Sequence, residues 1–191
     1  MDRGGNVFVV VTFQGAVDVG TGVLRSGIGF DMLAMKLEST GNTLWAKAFP
    51  GPQGSEWANA LAVDSVGNFA VGGTFERAVD FGGGPVMSAG PISGFVAKFD
   101  GFRRHLWSRV FGARQSSAVV EAVVLGTNVR WALLGRSKGG LTLEEGLSQL
   151  PANGTVLLHH WVVSSSTSGT LLCLSAHGGV SLGHHGFHSS L

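Results

Sequence analysis

The chain repeats itself at an interval of 62 residues. Residues 2–49 align with residues 64–111 without a gap, and 16 of the 48 aligned pairs are identical. The stretch GNTLWAKAF, for example, returns as RRHLWSRVF with Leu, Trp, a basic residue and Phe in register. A tandem duplication of this kind requires a fold in which one small unit packs against the next.

The identical positions belong to residue types that form turns or fill hydrophobic cores. Gly and Asn recur in one turn, Asp recurs before a Gly-rich stretch, and Trp and Phe recur in an apolar segment. We therefore predict structural roles for these positions. They are Gly5, Asn6, Asp18, Trp45 and Phe49 in the first copy and Gly67, Asn68, Asp80, Trp107 and Phe111 in the second.

Each copy is predicted to form four short strands separated by turns. In the second copy the strands are NALAVD, NFAVGGTF, GFVAKFD and HLWSRVF, and their lengths are typical of strands. Trp107, Arg109 and Phe111 share one face of the last strand because side chains alternate along it. The turns DRGGN and DSVGN combine an Asp that bonds nearby N–H groups with a Gly that takes a positive φ. A third copy, starting at EAVVLGTNVRWALLG, is about eleven residues shorter.

The composition places the chain in the all-β class. It is 44% hydrophobic and 13% charged, which is apolar enough for a buried core, and its 31 glycines fit many tight turns. A net charge of +1 predicts no nucleic-acid partner, and no run approaches the roughly 18 apolar residues of a membrane span. The single cysteine, Cys173, excludes an internal disulfide, and the first residues lack the pattern of a signal peptide.

A four-stranded antiparallel unit repeated every roughly 40 to 60 residues is typical of a β-propeller, in which each unit is one blade. The stretches AVDSVGNFAVGGTF and GFVAKFDGFRRHLW also resemble bacterial β-propeller repeat proteins, whose blades read roughly VAVDxxGNxxVxGxF and FVAKxDxxGxxLWxxxF. The resemblance covers residues 2 to about 135. It implies a surface or secreted repeat protein, and so a location at the cell surface or outside the cell.

The predicted fold is therefore all-β: a partial β-propeller of four-stranded blades of about 62 residues, forming an open arc of two to three blades. Residues 1–57 are predicted to hold a partial first blade and a linker, 58–117 a complete second blade, 118–163 a degenerate third blade, and 164–191 a Ser-, Gly- and His-rich tail or the start of a fourth blade. Closure takes typically about four to eight blades. We therefore expect a fragment of a larger protein, or self-association through open blade faces.

One alternative is that the repeated tryptophan belongs to the docking motif of a propeller enzyme. Thr40, Gly41 and Trp45 resemble part of the tryptophan-docking repeat AxDxxTGxxxW of quinoprotein dehydrogenases. Glu38 lies one residue too close to Thr40, however, and the second copy lacks the Thr-Gly pair. In that family the repeat is itself a packing device, so the match supports the fold more than a quinone cofactor.

A second alternative is a metal site at the repeated aspartates. Asp18 and Asp80 stand in equivalent VDVGTG and VDFGGG loops. Calcium requires roughly 6 to 8 oxygen ligands, which these loops do not supply, and Asp before Gly is typical of a turn. We therefore predict no cofactor and no specific metal at these loops.

The C-terminal stretch SAHGGVSLGHHGFHSSL holds His177, His184, His185 and His188, and His159 and His160 lie shortly before it. Adjacent histidines point to opposite faces of a strand, so a frayed tail is favoured over a zinc site. No HExxH or Walker motif occurs, and Cys173 lies in the apolar stretch GTLLCLS. The sequence favours a non-catalytic repeat scaffold or interaction module that binds protein or glycan through blade loops. The alternative is part of a propeller enzyme, quinoprotein dehydrogenase-like or glycan-acting, with catalytic residues outside this chain.

Overall fold

The computed structural model describes residues 1–51, 54–114, 117–125, 131–138, 142–143, 158–164 and 170–175, and beyond residue 125 it describes strands by their backbone course. The described residues form strands, turns and bends, with no helix among them. The predicted all-β class is confirmed. All the pairings between these strands are antiparallel.

The first sheet contains three strands in the order β1-β4-β5. Its strands are β1 (Val7–Phe13), β4 (Asp31–Leu37) and β5 (Thr43–Phe49), and a separate hairpin of β2 (Ala16–Asp18) and β3 (Val23–Arg25) lies between β1 and β4 in the chain. The run VFVVVTF in β1 is apolar at successive positions, which is typical of a strand with neighbours on both faces.

The second sheet repeats this arrangement and adds a strand at each edge. It contains β6 (Glu56–Val63), β7 (Phe69–Phe75), β10 (Ser93–Phe99) and β11 (His105–Gly112), with the hairpin β8 (Ala78–Asp80) and β9 (Pro85–Met87) between β7 and β10. The four strands predicted for the second copy are thus present, in an antiparallel meander in chain order. The hairpins β2-β3 and β8-β9 were not predicted; they occupy what the sequence indicated were loops.

The third sheet has the strand order β12-β13-β15-β16. Its strands are β12 (Ser117–Leu125), β13 (Trp131–Lys138), β15 (Leu158–Ser164) and β16 (Thr170–Ser175), while β14 (Thr142–Leu143) pairs with β11 as the fifth strand of the second sheet. His159 and His160 lie in β15, and Cys173 lies in β16. The predictions for His177, His184, His185 and His188 lie outside the described residues.

The sheets stack in chain order, with the second sheet between the other two. Its strands β7 and β10 are buried along their whole length. One face, including Phe69, Phe95 and Phe99, packs on the first sheet, whereas the other face, including Ala70 and Val96, packs on the third. Gly72 permits the second contact, since a Cβ there would lie 2.6 Å from methyl groups of Val120 and Val123. Among the described residues, no sheet closes on itself.

The β4-β5 turn of the first sheet and the β10-β11 turn of the second sheet show how the two copies diverged. Gly41 in the first sheet has φ 93°, and Arg103 at the equivalent place in the second has φ 68°. Positive φ costs a residue with a side chain about 1 to 2 kcal/mol. The arginine is partly compensated, because its guanidinium lies 5.6 Å from the ring centre of Trp45 in the neighbouring sheet.

Gly41→Ala is expected to lower the free energy of unfolding by about 1 kcal/mol. The cause is the backbone alone, since no atom outside its chain neighbours lies within 4 Å of where the new Cβ would be. Urea denaturation measures the change. Gly41→Asn is the control and should cost less, because Asn tolerates positive φ; equal stability of Gly41→Ala and the parent would contradict the prediction.

Candidate functional site

The turns that open each repeat are held by an aspartate side chain. In the second copy, Oδ1 of Asp64 accepts the backbone N–H of Asn68 at 2.8 Å, and Oδ2 accepts its side-chain amide at 2.8 Å. Gly67 takes the positive φ of 88° that closes the turn. In the first copy, the equivalent residues Asp2, Asn6 and Gly5 form the same turn. These sequence-predicted positions therefore shape turns.

Asp80 and Asp18 also act within turns. Oδ1 of Asp80 accepts the N–H groups of Gly82 at 2.7 Å and Gly84 at 3.1 Å, at the tip of the β8-β9 hairpin. Asp18 makes the equivalent bonds in the β2-β3 hairpin. Both aspartates thus bond backbone N–H groups at the start of a turn, as Asp before Gly commonly does. No cluster of three or more His, Cys, Asp or Glu side chains suited to a metal occurs in the described part of the chain.

The repeated aromatic residues lie between the sheets. Trp45 contacts Phe8 edge-on at 6.0 Å between ring centres and Phe69 of the second sheet at 5.6 Å. Phe49 is buried and lies 5.1 Å from Phe99. One sheet further on, Trp107 packs against the cluster that contains Phe111, between the second and third sheets. Each tryptophan is half-buried and fills space at the contact with the next sheet.

Trp45→Ala and Trp107→Ala are each expected to cost about 2 to 3 kcal/mol. A fully buried aromatic costs about 3 to 5 kcal/mol, and these indoles are half-buried. Thermal melts provide the measurement. Leu44→Ala and Leu106→Ala are matched controls, because these neighbouring leucines are 46% and 50% exposed. Tryptophan variants as stable as the leucine variants would indicate that the indoles are surface groups.

The side chains of Lys47 and His105 lie close to the tip of the β8-β9 hairpin, which faces β5. The Nζ atom of Lys47 lies 4.8 Å from the ring centre of Phe49. Burial and the charge of Arg103 lower the pKa of Lys47, and Asp80 opposes them. Burial likewise lowers the pKa of His105, whose Nε2 has no hydrogen-bond partner. The ammonium of Lys47 therefore contacts an aromatic ring inside the stack.

An open cleft of about 480 Å³ lies at one end of the first and second sheets. Phe102 and Val66 stand at its rim and are 80% and 72% exposed. Its charged residues are paired: Lys36 contacts Asp2 at 2.8 Å, and Arg104 contacts Asp100 at 2.6 Å. The hydrogen bond from Lys36 holds the pKa of the Asp2 carboxyl well below its usual range. The cleft therefore presents apolar groups between neutralised charges. It is lined by Lys36, Val66, Gly67, Asn68, Asp100, Gly101, Phe102 and Arg104.

Two carboxyl groups, Asp31 and Glu56, are fully buried where the first sheet meets the second. Asp31 begins β4, and its carboxylate accepts the N–H groups of Gly27 and, at 3.4 Å, of Gly51. Glu56 begins β6, and its N–H donates to the carbonyl of Phe30 at 2.7 Å. Neither oxygen of the Glu56 side chain accepts a hydrogen bond from a donor group.

The surroundings of Glu56 favour its neutral form. Burial is the largest cause, and the adjacent Asp31 carboxyl adds to it, so that the pKa of Glu56 rises from 4.5 to about 9. Glu76 contributes in the same direction. Two carboxyl groups in contact without water cannot both be ionised unless a positive charge joins them.

The next sheet junction has the same backbone pattern with neutral residues. Ser93 replaces Asp31 and Ala118 replaces Glu56 on the 62-residue period. The N–H of Ala89 donates to Oγ of Ser93 at 3.0 Å, and the N–H of Ala118 donates to the carbonyl of Ile92 at 3.2 Å. The fold therefore does not require the acid pair.

The sequence prediction missed this pair. Asp31 and Glu56 are 25 positions apart, and neither lies in a recognisable motif. The available signal was the repeat itself, which places an acid in each of two apolar contexts, GFDMLAM and GSEWANAL, where the following copy has Ser and Ala.

Comparison with protein-family models gives no match for this chain, and a search of the curated proteins gives none either. The described residues include no helix with the length and apolar character needed to cross a membrane.

Proposed function

We propose that this chain is a non-catalytic repeat scaffold, built from sheets of the β-propeller blade type, whose function is to associate with further units of its own kind. The antiparallel meander in chain order and the direct stacking of one sheet on the next support the blade assignment. In the described residues, the aspartates of the repeat act in turns and its tryptophans in packing, which supports a scaffold.

The outer face of the first sheet is the surface through which we expect this association. Val9 and Met35 on that face correspond to Val71 and Ala97 of the second sheet. Those two counterparts are fully buried against the first sheet, whereas Val9 and Met35 are half-buried and belong to neither hydrophobic cluster of the described residues. Part of this face is therefore less covered than its counterpart in the second sheet, although Leu33 on the same face is buried.

A second copy of this chain is the occupant that fits this face best. The stacking of the second sheet on the first shows that one unit can cover the equivalent face of another. Exposed apolar surface favours such association by about 25 cal/mol per Å² buried. Protein or glycan partners would then bind at the loops, where the cleft beside Phe102 is open.

Val9→Glu is expected to reduce self-association of the chain while preserving its fold. Sedimentation velocity over a range of concentrations gives the oligomeric state, and circular dichroism reports the fold. Val71→Glu is the matched control at the equivalent buried position, and it should unfold the protein because a charge would lie inside the stack. A parent chain that stays monomeric, or a Val9→Glu variant that associates like the parent, would rule out this function.

A further inference from the structure

Asp31 and Glu56 place two acidic side chains next to each other inside the stack. Both residues are 0% exposed. Lys36 pairs with Asp2 and Arg104 with Asp100, and no cation is among the groups that shift the pKa of Glu56. The Glu56 side chain, buried and without a hydrogen-bond donor on either oxygen, faces Asp31 across the junction. Such an arrangement of oxygens is suited to a cation.

Two backbone carbonyl oxygens, those of Ala78 and Gly51, also lie near the two carboxyl groups. A Cβ built on Gly51 would overlap the Glu56 carboxylate and lie 3.0 Å from the carbonyl oxygen of Ala78. A Cβ built on Gly27 would lie 2.8 Å from the carbonyl oxygen of Gly51 and 3.7 Å from Oδ2 of Asp31. Gly27 and Gly51 thus allow two carboxyl groups and two backbone carbonyls to lie close to the glycine backbone, where a side chain would collide with them.

We propose that Asp31 and Glu56 bind a calcium ion that joins the first sheet to the second, with the carbonyl oxygens of Ala78 and Gly51 completing the protein ligands. Asp31 belongs to β4 and Glu56 to β6, so the ion bridges strands of different sheets. It supplies the positive charge that allows both carboxylates to be ionised.

The ligand chemistry selects calcium among the common cations. All the groups are oxygens, whereas zinc sites use Cys and His. Magnesium retains several waters in an octahedral shell, and full burial leaves little room for them. Calcium accepts carboxylates in one- or two-oxygen contact together with backbone carbonyls. The site is distinct from the Asp18 and Asp80 hairpins, because those aspartates are exposed whereas Asp31 and Glu56 are buried.

The test is calorimetric titration of the full 191-residue chain with calcium chloride, after removal of metal by a chelator. The parent is expected to show one saturable site, and Glu56→Gln should weaken it at least tenfold. The double variant Asp31→Ser with Glu56→Ala should abolish it, and it is designed to fold because the second junction has these residues at the same positions. Asp80→Asn is the control and should bind calcium like the parent.

Thermal melts give a second readout that needs no variant. Saturating calcium should raise the melting temperature of the parent by about 5 °C, and equal magnesium should raise it less. The absence of saturable heat, loss of binding in Asp80→Asn, or equal binding by the double variant would overturn the site. In those cases a shared proton alone joins the two carboxyl groups.

Discussion

Phe99→Ala is expected to lower the free energy of unfolding by about 3 to 5 kcal/mol, the usual cost of removing a buried aromatic ring. Phe99 is completely buried in the second sheet. Its ring stacks on Phe69 at 4.9 Å and meets Phe49 of the first sheet at 5.1 Å. The cavity would therefore open inside the contact between two sheets, and urea denaturation followed by fluorescence measures the loss.

Leu37→Ala is the control for this substitution, because Leu37 occupies the equivalent position on the outer face of the first sheet and is half-buried. It should cost less than about 2 kcal/mol. Equal losses in Phe99→Ala and Leu37→Ala would mean that the two faces are covered to the same extent. The packing of the second sheet on the first would then not be the main source of stability.

In metal-free solution, the stability of this chain is expected to fall as the pH rises from about 4.5 towards 9. The folded pKa of Glu56 is raised to about 9 from 4.5, so the folded state keeps a proton that the unfolded state loses. The stabilisation is complete below the lower value, declines between the two and is lost above the higher. The slope approaches about 1.4 kcal/mol per pH unit. Urea denaturation between pH 5 and 9, with a chelator present, measures this slope.

Glu56→Gln is expected to flatten this pH dependence and to raise stability at pH 8 by about 2 kcal/mol or more, because an amide needs no proton to remain neutral. Glu38→Gln is the control and should keep the slope, since Glu38 lies in a turn and accepts the Thr40 hydroxyl at 3.0 Å. A parent whose stability is constant from pH 5 to 9 would show that Glu56 is ionised throughout that range.

The sequence predicted the strands well because its signals were local and repeated. The strands of the second copy were found from alternation and from turns such as DSVGN, and the role of Asp80 followed from the glycines after it. The hairpins β2-β3 and β8-β9 were missed because strands of three residues are too short to show alternation.

The acid pair could not be predicted from local pattern. Asp31 and Glu56 meet only because the first strand of the second sheet begins beside the middle strand of the first. A carboxyl group in a strand sequence is usually on a solvent-facing side, and only the stacking of the sheets removes water from both. Such burial depends on how closely two sheets approach each other. The pattern of residues along a single strand does not indicate this distance.

The middle position of the second sheet has a consequence for the dynamics of the chain. In a linear stack the stability of each unit is approximately its own stability plus that of its contacts with nearest neighbours. The first and third sheets can each separate by breaking one interface, whereas the second must break two. Local opening therefore begins at the outer sheets, and β7 and β10 form the last cooperative unit to lose its amide hydrogen bonds.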